Sequence, residues 1–142
     1  MSQESIFRWT MRVYYEDTDA GGIVYYANYL KFFERARTEW LRSAGIGQQS
    51  MAEQQHAMFV VKSTSMDYHT PARLDDELEI TVVIEKFGRA SLVFIQQAWR
   101  GEQCLASGRI KVGCVDAVLI RPCAIPAAVV SAVQARYSPS AN

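Results

Sequence analysis

The chain opens on alternation. Phe7, Trp9, Met11, Val13 and Tyr15 are separated for most of that run by polar residues, and a period of two marks a strand with one face buried. From Tyr29 to Ala44 the period lengthens. At about 100° per residue, Tyr29, Leu30, Phe32, Phe33, Ala36, Trp40, Leu41 and Ala44 fill one half of a helical wheel, while Lys31, Glu34, Arg35, Thr38, Glu39 and Arg42 fill the other. An apolar arc of roughly 180° is wide for a helix that leans on a surface; it predicts a helix wrapped by a sheet. Gly45 is placed to end it. Arg37 falls inside the apolar arc. Either its stem carries the guanidinium out to water, or the charge is buried against a carboxylate from outside the helix. Glu16, Asp17, Asp75 and Asp76 are the candidates for that partner.

Strand patterns follow. His56 to Tyr68 is the first, closed by the turn TPARLDD (70–76). From Leu78 to Lys86, Leu78, Ile80, Val82 and Ile84 alternate with Glu79, Thr81 and Glu85, and Gly88 marks a hairpin. Ala90 to Arg100 is apolar on both faces over LVFI (92–95), the mark of a central strand, and Gly101-Glu102 marks the next turn. Cys104 to Val115 closes the series. The tail from Arg121 is broken by prolines, rich in Ala and Val, and yields no clear element. The order is strand, long helix, then four strands on short turns, an α+β fold in which an antiparallel sheet wraps a helix. The whole chain, residues 1–142, reads as one domain.

Composition narrows the function. A chain of 142 residues is long enough for one good core. Its formal net charge is zero, without the basic surplus that nucleic-acid binding requires. Three widely spaced cysteines, Cys104, Cys114 and Cys123, form neither a disulfide framework nor a zinc motif; they read as reduced thiols of a cytoplasmic protein. The opening MSQESIFRWTMRVYYED has no apolar run of signal-peptide length. The most apolar stretch, CAIPAAVVSAVQA (123–135), is too short to span a bilayer and contains Pro126. A soluble, cytoplasmic protein is expected.

The candidate chemistry lies in VYYEDTDAGGIVYYANY (13–29). No GxSxG elbow, HExxH helix or phosphate-binding loop is present. The two histidines, His56 and His69, supply no metal ligand set. In the quoted segment Glu16, Asp17 and Asp19 crowd into four positions, followed by Gly21 and Gly22 and then by Ile23, Val24, Tyr25 and Tyr26. The plain reading is a loop whose aspartates bond their own backbone. The alternative is acyl transfer. Glycines allow close approach, free N–H groups hold an oxyanion, and a carboxylate attacks a carbonyl or takes a proton from water. Such a sparse site suits a thioester, because a thiolate, with a thiol pKa near 8.5, leaves without a general acid. An amide nitrogen does not.

The segment VYYEDTDAGGIVYYANYLKFFERARTEWL (13–41) closely resembles the opening of the small bacterial acyl-CoA thioesterases associated with the Tol–Pal gene cluster, in the 4-hydroxybenzoyl-CoA thioesterase group of the hotdog fold. YHTPARLDDELEI (68–80) and RASLVF (89–94) resemble the same family. The resemblance implies a five-stranded antiparallel sheet curled around one long helix. It places the catalytic carboxylate at Asp19, the second Asp of D-x-D, and the main-chain N–H that polarises the thioester carbonyl at Tyr26. Close relatives commonly carry His at that position. Gly22, Ile23, Val24, Tyr25, Tyr29, Phe59, Lys86, Arg89 and Ser91 are the expected substrate contacts, and Lys86 and Arg89, flanking Gly88, fall in the region where the family's basic residues meet the coenzyme A phosphates. No metal and no cofactor are implied, coenzyme A being part of the substrate. A site at a dimer interface, a homodimer or homotetramer, and a possible acyl-carrier-protein thioester as substrate are implied as well. Whether Asp19 is nucleophile or base stays open. A second expectation from another class is a non-hydrolytic acyl-CoA or acyl-carrier-protein binding scaffold in envelope lipid metabolism. A hotdog dehydratase is weaker, because no His sits beside the long helix.

Overall fold

A computed structural model describes residues 6–136; the extremes of the expected domain, including the first five residues of the opening segment, lie outside the described residues. The elements are β1 (Phe7–Arg12), α1 (Asn28–Ser43), α2 (Gln48–Gln55), β2 (Ala57–Tyr68), β3 (Glu77–Phe87), β4 (Ser91–Arg100), β5 (Gln103–Asp116) and α3 (Ala127–Arg136). The five strands form one antiparallel sheet in the order β1-β3-β4-β5-β2. The sheet curls around α1, as the wide apolar arc predicts. Register shifts between Val61 and Ser63, Ile84 and Lys86, and Ala98 and Trp99 add the local bends that curvature needs.

Helix α1 presses Phe32, Phe33 and Ala36, all fully buried, onto Leu78 and Ile80 of β3 and Phe94 and Ala98 of β4 in a single core. At Gly108 of β5 an added Cβ would stand 2.9 Å from the Phe33 ring, so the helix rests there on bare backbone. Gly45 takes φ +86° just past the end of α1, where the Ile46 N–H returns to the Leu41 carbonyl. Two helices escaped the sequence patterns. In α2 only Met51 is buried, so no periodicity marks it. Helix α3 follows Pro126, which begins a helix readily, and buries Val129 and Val133 one turn apart.

Arg37 corrects both sequence-based alternatives. It is buried, 8% exposed, so it does not run out to water. Its partner is not a carboxylate. Arg37 Nη1 donates to Gln96 Oε1 (2.9 Å), and Gln96 Nε2 donates to the Phe33 carbonyl (3.0 Å). The guanidinium also lies 5.9 Å from the centre of the Phe94 ring. The proposed acidic partners are engaged elsewhere: Asp76 with Arg100 at 2.7 Å, and Asp17 with the Tyr14 N–H at 2.9 Å. A neutral amide from a central strand supplies an acceptor without desolvating a second charge, which a buried ion pair requires. Burial lowers the Arg37 pKa, and the nearby Glu34 carboxylate opposes the shift.

Candidate active site

The acidic segment leaves β1 through a 3-10 turn, Tyr15–Asp17, and then doubles back. Thr18 bridges Val24, the Asp19 N–H donates to Ile23 O (2.9 Å), and the Gly22 N–H donates to Asp19 O (3.0 Å). Gly22 has φ +79°, a conformation that requires glycine in so tight a reversal. The TPARLDD segment stitches this hairpin down: Val24 N–H to Ala72 O (2.8 Å) and Leu74 N–H to Gly22 O (3.2 Å). That segment is itself braced by Asp76, whose Oδ2 accepts from the Arg73 N–H (2.8 Å) and Arg100 Nη1 (2.7 Å). Burial alone would raise the Asp76 pKa; the Arg73 N–H and the Arg100 guanidinium together outweigh it and hold the carboxyl below its usual value.

Asp17 and Asp19 play different parts. Asp17 is 3% exposed. One carboxylate oxygen caps the Tyr14 N–H, and its carbonyl accepts from the Tyr25 N–H (3.1 Å) and from Asn28 Nδ2 (2.8 Å). It therefore joins the turn to the first residue of α1. Its other oxygen, Oδ1, is buried without a hydrogen-bond partner among the described residues. Asp19 is exposed. Its Oδ1 accepts the Gly21 N–H (2.9 Å), an Asx bond that fixes the side chain while leaving the carboxylate open to solvent.

Beside it begins α1. The Asn28, Tyr29 and Leu30 N–H groups return to Tyr25, Tyr26 and Ala27 carbonyls. The N–H groups of Tyr26 and Ala27 find no acceptor among the described residues. They lie at the positive end of a 16-residue helix, where an oxyanion is favoured. The Tyr26 ring is 59% exposed and packs against Tyr25 (centroids 5.0 Å) and edge-on to Tyr68 (5.8 Å). Tyr68 also meets Tyr29 at 5.6 Å. Burial raises the Tyr68 hydroxyl pKa, with Tyr26 adding to it. Sequence reasoning passed over Tyr68, which the structure sets opposite buried Ala106 on the inner face of the sheet; no sequence signal marked it.

The other expected contacts scatter. Ile23 and Tyr25 stay accessible, but Val24 (4% exposed) and Tyr29 (3%) turn into the core, the Tyr29 hydroxyl accepting the Ala72 N–H at 3.2 Å. Phe59 lines a cavity of about 120 Å³ with Arg37, Leu41, Val61 and Phe94. Lys86 and Ser91 line a groove on the outer face of the sheet with Arg109 and Lys111. Arg89 is not in that lining; its carbonyl holds the Ile125 N–H (2.9 Å). Among the described residues no group of three or more His, Cys, Asp or Glu side chains is placed to hold a metal ion, and no helix is long and apolar enough to cross a membrane.

One long helix wrapped by a five-stranded antiparallel sheet is the hotdog architecture of thioesterases, and residues 13–133 match the thioesterase-like superfamily, to which the chain belongs. Within it the chain is similar to the acyl-CoA thioesterase YbgC of Haemophilus influenzae, at 46% identity over 120 residues, covering 84% of this chain and 88% of that protein. It is equally similar to the acyl-CoA thioester hydrolase YbgC of Escherichia coli O6:H1, at 46% over 128 residues, covering 89% and 95%. Among solved structures, a probable thioesterase from Bartonella henselae superposes with a TM-score of 0.82 at 31% identity, covering 85% of this chain and 99% of that one.

Proposed function

We propose that the protein hydrolyses acyl-CoA thioesters to a free acid and coenzyme A, with Asp19 and the Tyr26 N–H at the reacting centre. The observation that carries this reading is the open Asp19 carboxylate on the hairpin that leads into α1, ahead of which the Tyr26 and Ala27 N–H groups are unoccupied among the described residues, in a chain 46% identical to acyl-CoA thioesterases. The thioester oxygen accepts from the Tyr26 N–H as negative charge develops on it. Asp19 either attacks the carbonyl carbon, expelling the thiolate and leaving an anhydride that water opens, or takes a proton from the water that attacks directly. Both routes end in the same acid and thiol, with no cofactor. The groove holds Lys86 and Lys111, with Arg109 beside them paired to Glu85 at 2.8 Å, and the two lysines suit the phosphates of coenzyme A.

The working unit is a homodimer built from a single domain, acting in the cytoplasm. Strand β2 supports this: it is a 12-residue edge with Val61 52% and Tyr68 45% exposed, whereas the opposite edge, β1, has 6 residues. Long open edges are normally covered or paired, and a second copy would add residues beside Tyr68 and Tyr26. An acyl-carrier-protein thioester would present the same reacting group. The test is thiol release, followed with a chromogenic disulfide, over acyl-CoA substrates from acetyl to palmitoyl, with light scattering to fix the assembly. Turnover of at least one chain length by a dimer or larger species is expected. Tight acyl-CoA binding without turnover would overturn the enzymatic reading in favour of a scaffold.

A further inference from the structure

Away from the candidate site, two nucleophiles face each other. Cys114 lies near the end of β5, and the chain returns beside it through a turn built on Asp116, whose Oδ1 accepts the N–H groups of Val118 and Leu119, both at 2.8 Å. On the return, Val115 bridges Pro122 and the Cys123 N–H donates to the Cys114 carbonyl at 3.0 Å. Cys114 and Cys123 are thus opposed across this short antiparallel contact, joined by that one bond, while the Cys114 N–H turns to Ala90 O on β4. Their side chains stand on the same side, with Sγ atoms 3.6 Å apart. The third cysteine, Cys104, sits elsewhere, against Ser107.

We propose that Cys114 and Cys123 form a reversible disulfide site, closed by a hydroperoxide oxidant, that ties the C-terminal segment to β5. Cys123 is partly exposed and Cys114 is 1% exposed. Burial, together with the hydrogen bond to the neighbouring thiol, pushes the Cys114 thiol up to about 12, and Cys123, the more exposed sulfur, is the one the oxidant reaches first. The Cys123 sulfur attacks one peroxide oxygen, the O–O bond breaks, and hydroxide leaves, taking up a proton to become water; Cys123 becomes a sulfenic acid. The Cys114 sulfur then attacks the Cys123 sulfur, the S–O bond breaks, and the departing hydroxide takes the Cys114 proton. Two thiols and one hydrogen peroxide become one disulfide and two waters. The bond would lock a segment with several anchors. The Ile125 N–H is held by the Arg89 carbonyl, and the Cys114 N–H by Ala90 O. Arg136 Nη2 reaches the Ser43 carbonyl at the end of α1 (2.8 Å).

The test is graded hydrogen peroxide on the folded full-length protein in a Cys104→Ser background. Thiols are counted after denaturation, peptides are mapped by mass spectrometry, and melting is followed by circular dichroism. The expected result is loss of both thiols together, a mass lower by about 2 Da, a linked Cys114–Cys123 peptide reversed by dithiothreitol, and a melting temperature higher by roughly 5 °C or more. The Cys114→Ser variant should instead accumulate oxygen adducts at Cys123. Two outcomes overturn the proposal: sulfenic or sulfinic acid on Cys123 with Cys114 still free in the parent protein, or both thiols still titratable after peroxide.

Discussion

Asp17 and Asp19 stand two positions apart, and their substitutions are expected to fail in opposite ways. Asp17→Ala removes the carboxylate that caps the Tyr14 N–H at 2.9 Å in a place only 3% exposed. A fully buried N–H left without its acceptor costs about 1–3 kcal/mol; the Tyr14 N–H is part-buried, so its cost lies toward the lower end. The substitution also removes Oδ1, buried without a hydrogen-bond partner among the described residues, which offsets part of that cost, so a net loss of about 1 kcal/mol is expected. With a urea slope of about 2 kcal/mol/M, the midpoint falls by roughly 0.5 M. Asp19→Asn keeps an oxygen for the Gly21 N–H and changes an exposed side chain, so stability should stay within about 0.5 kcal/mol. Its loss is chemical: without an anionic nucleophile or base, kcat should fall roughly 10²- to 10⁴-fold. Urea melts and thiol-release kinetics on the same preparations separate the two. If Asp17→Ala lowered kcat as far as Asp19→Asn with an unmoved midpoint, the assignment of the reacting carboxylate to Asp19 would be wrong.

Tyr26→Phe removes the phenol and keeps the main-chain N–H, so kcat should stay within about threefold; a near-complete loss in steady-state assays would show that the hydroxyl takes part. Gln96→Leu strands the Arg37 guanidinium beside Phe94 and should cost about 2–3 kcal/mol in urea melts. Arg37→Met combined with Gln96→Leu should recover part of that loss; strict additivity would refute the coupling. Asp76 titrates lower in the folded chain than its ordinary value. Its stabilisation is therefore complete above the unfolded pKa near 4 and fades as pH falls through the folded value. Asp76→Asn should lower stability at pH 7 and flatten the acid limb of the stability curve; an unchanged limb would exclude Asp76 as its source.

Helix α1 was legible because its apolar arc and its glycine stop agree, β3 because its inward face repeats with period two, and β4 because its LVFI centre is apolar on both faces. Helix α2 was not, because QQSMAEQQ buries one side chain and leaves no stripe to read. The acidic turn was recognisable as a motif, but its division of labour was not. Nothing in E-D-T-D says that Asp17 bonds the Tyr14 N–H, Tyr25 and Asn28 and is buried while Asp19 stays open, since that follows from how the hairpin folds back onto the start of α1. Arg37 misled for a related reason. Its wheel position showed burial correctly, whereas its partner came from a glutamine in a strand that reads as a plain apolar run.

The strand order also sets a timetable. Neither strand made before residue 69 pairs with the other: β1 waits for β3, and β2 waits for β5, which ends at Asp116. The neighbours β3, β4 and β5 join by short hairpins and can assemble locally, while the outer pairings close over long sequence separations, which is the slow kind of event. A chain leaving the ribosome therefore carries a finished reacting segment, residues 13–29, that has no surface to fold against until most of the remainder has been made. Its bulky apolar strands stay uncovered for that interval, the circumstance in which nascent chains associate wrongly. Truncation from the C-terminal side should thus remove the geometry of the acidic turn well before it removes any residue of the turn itself.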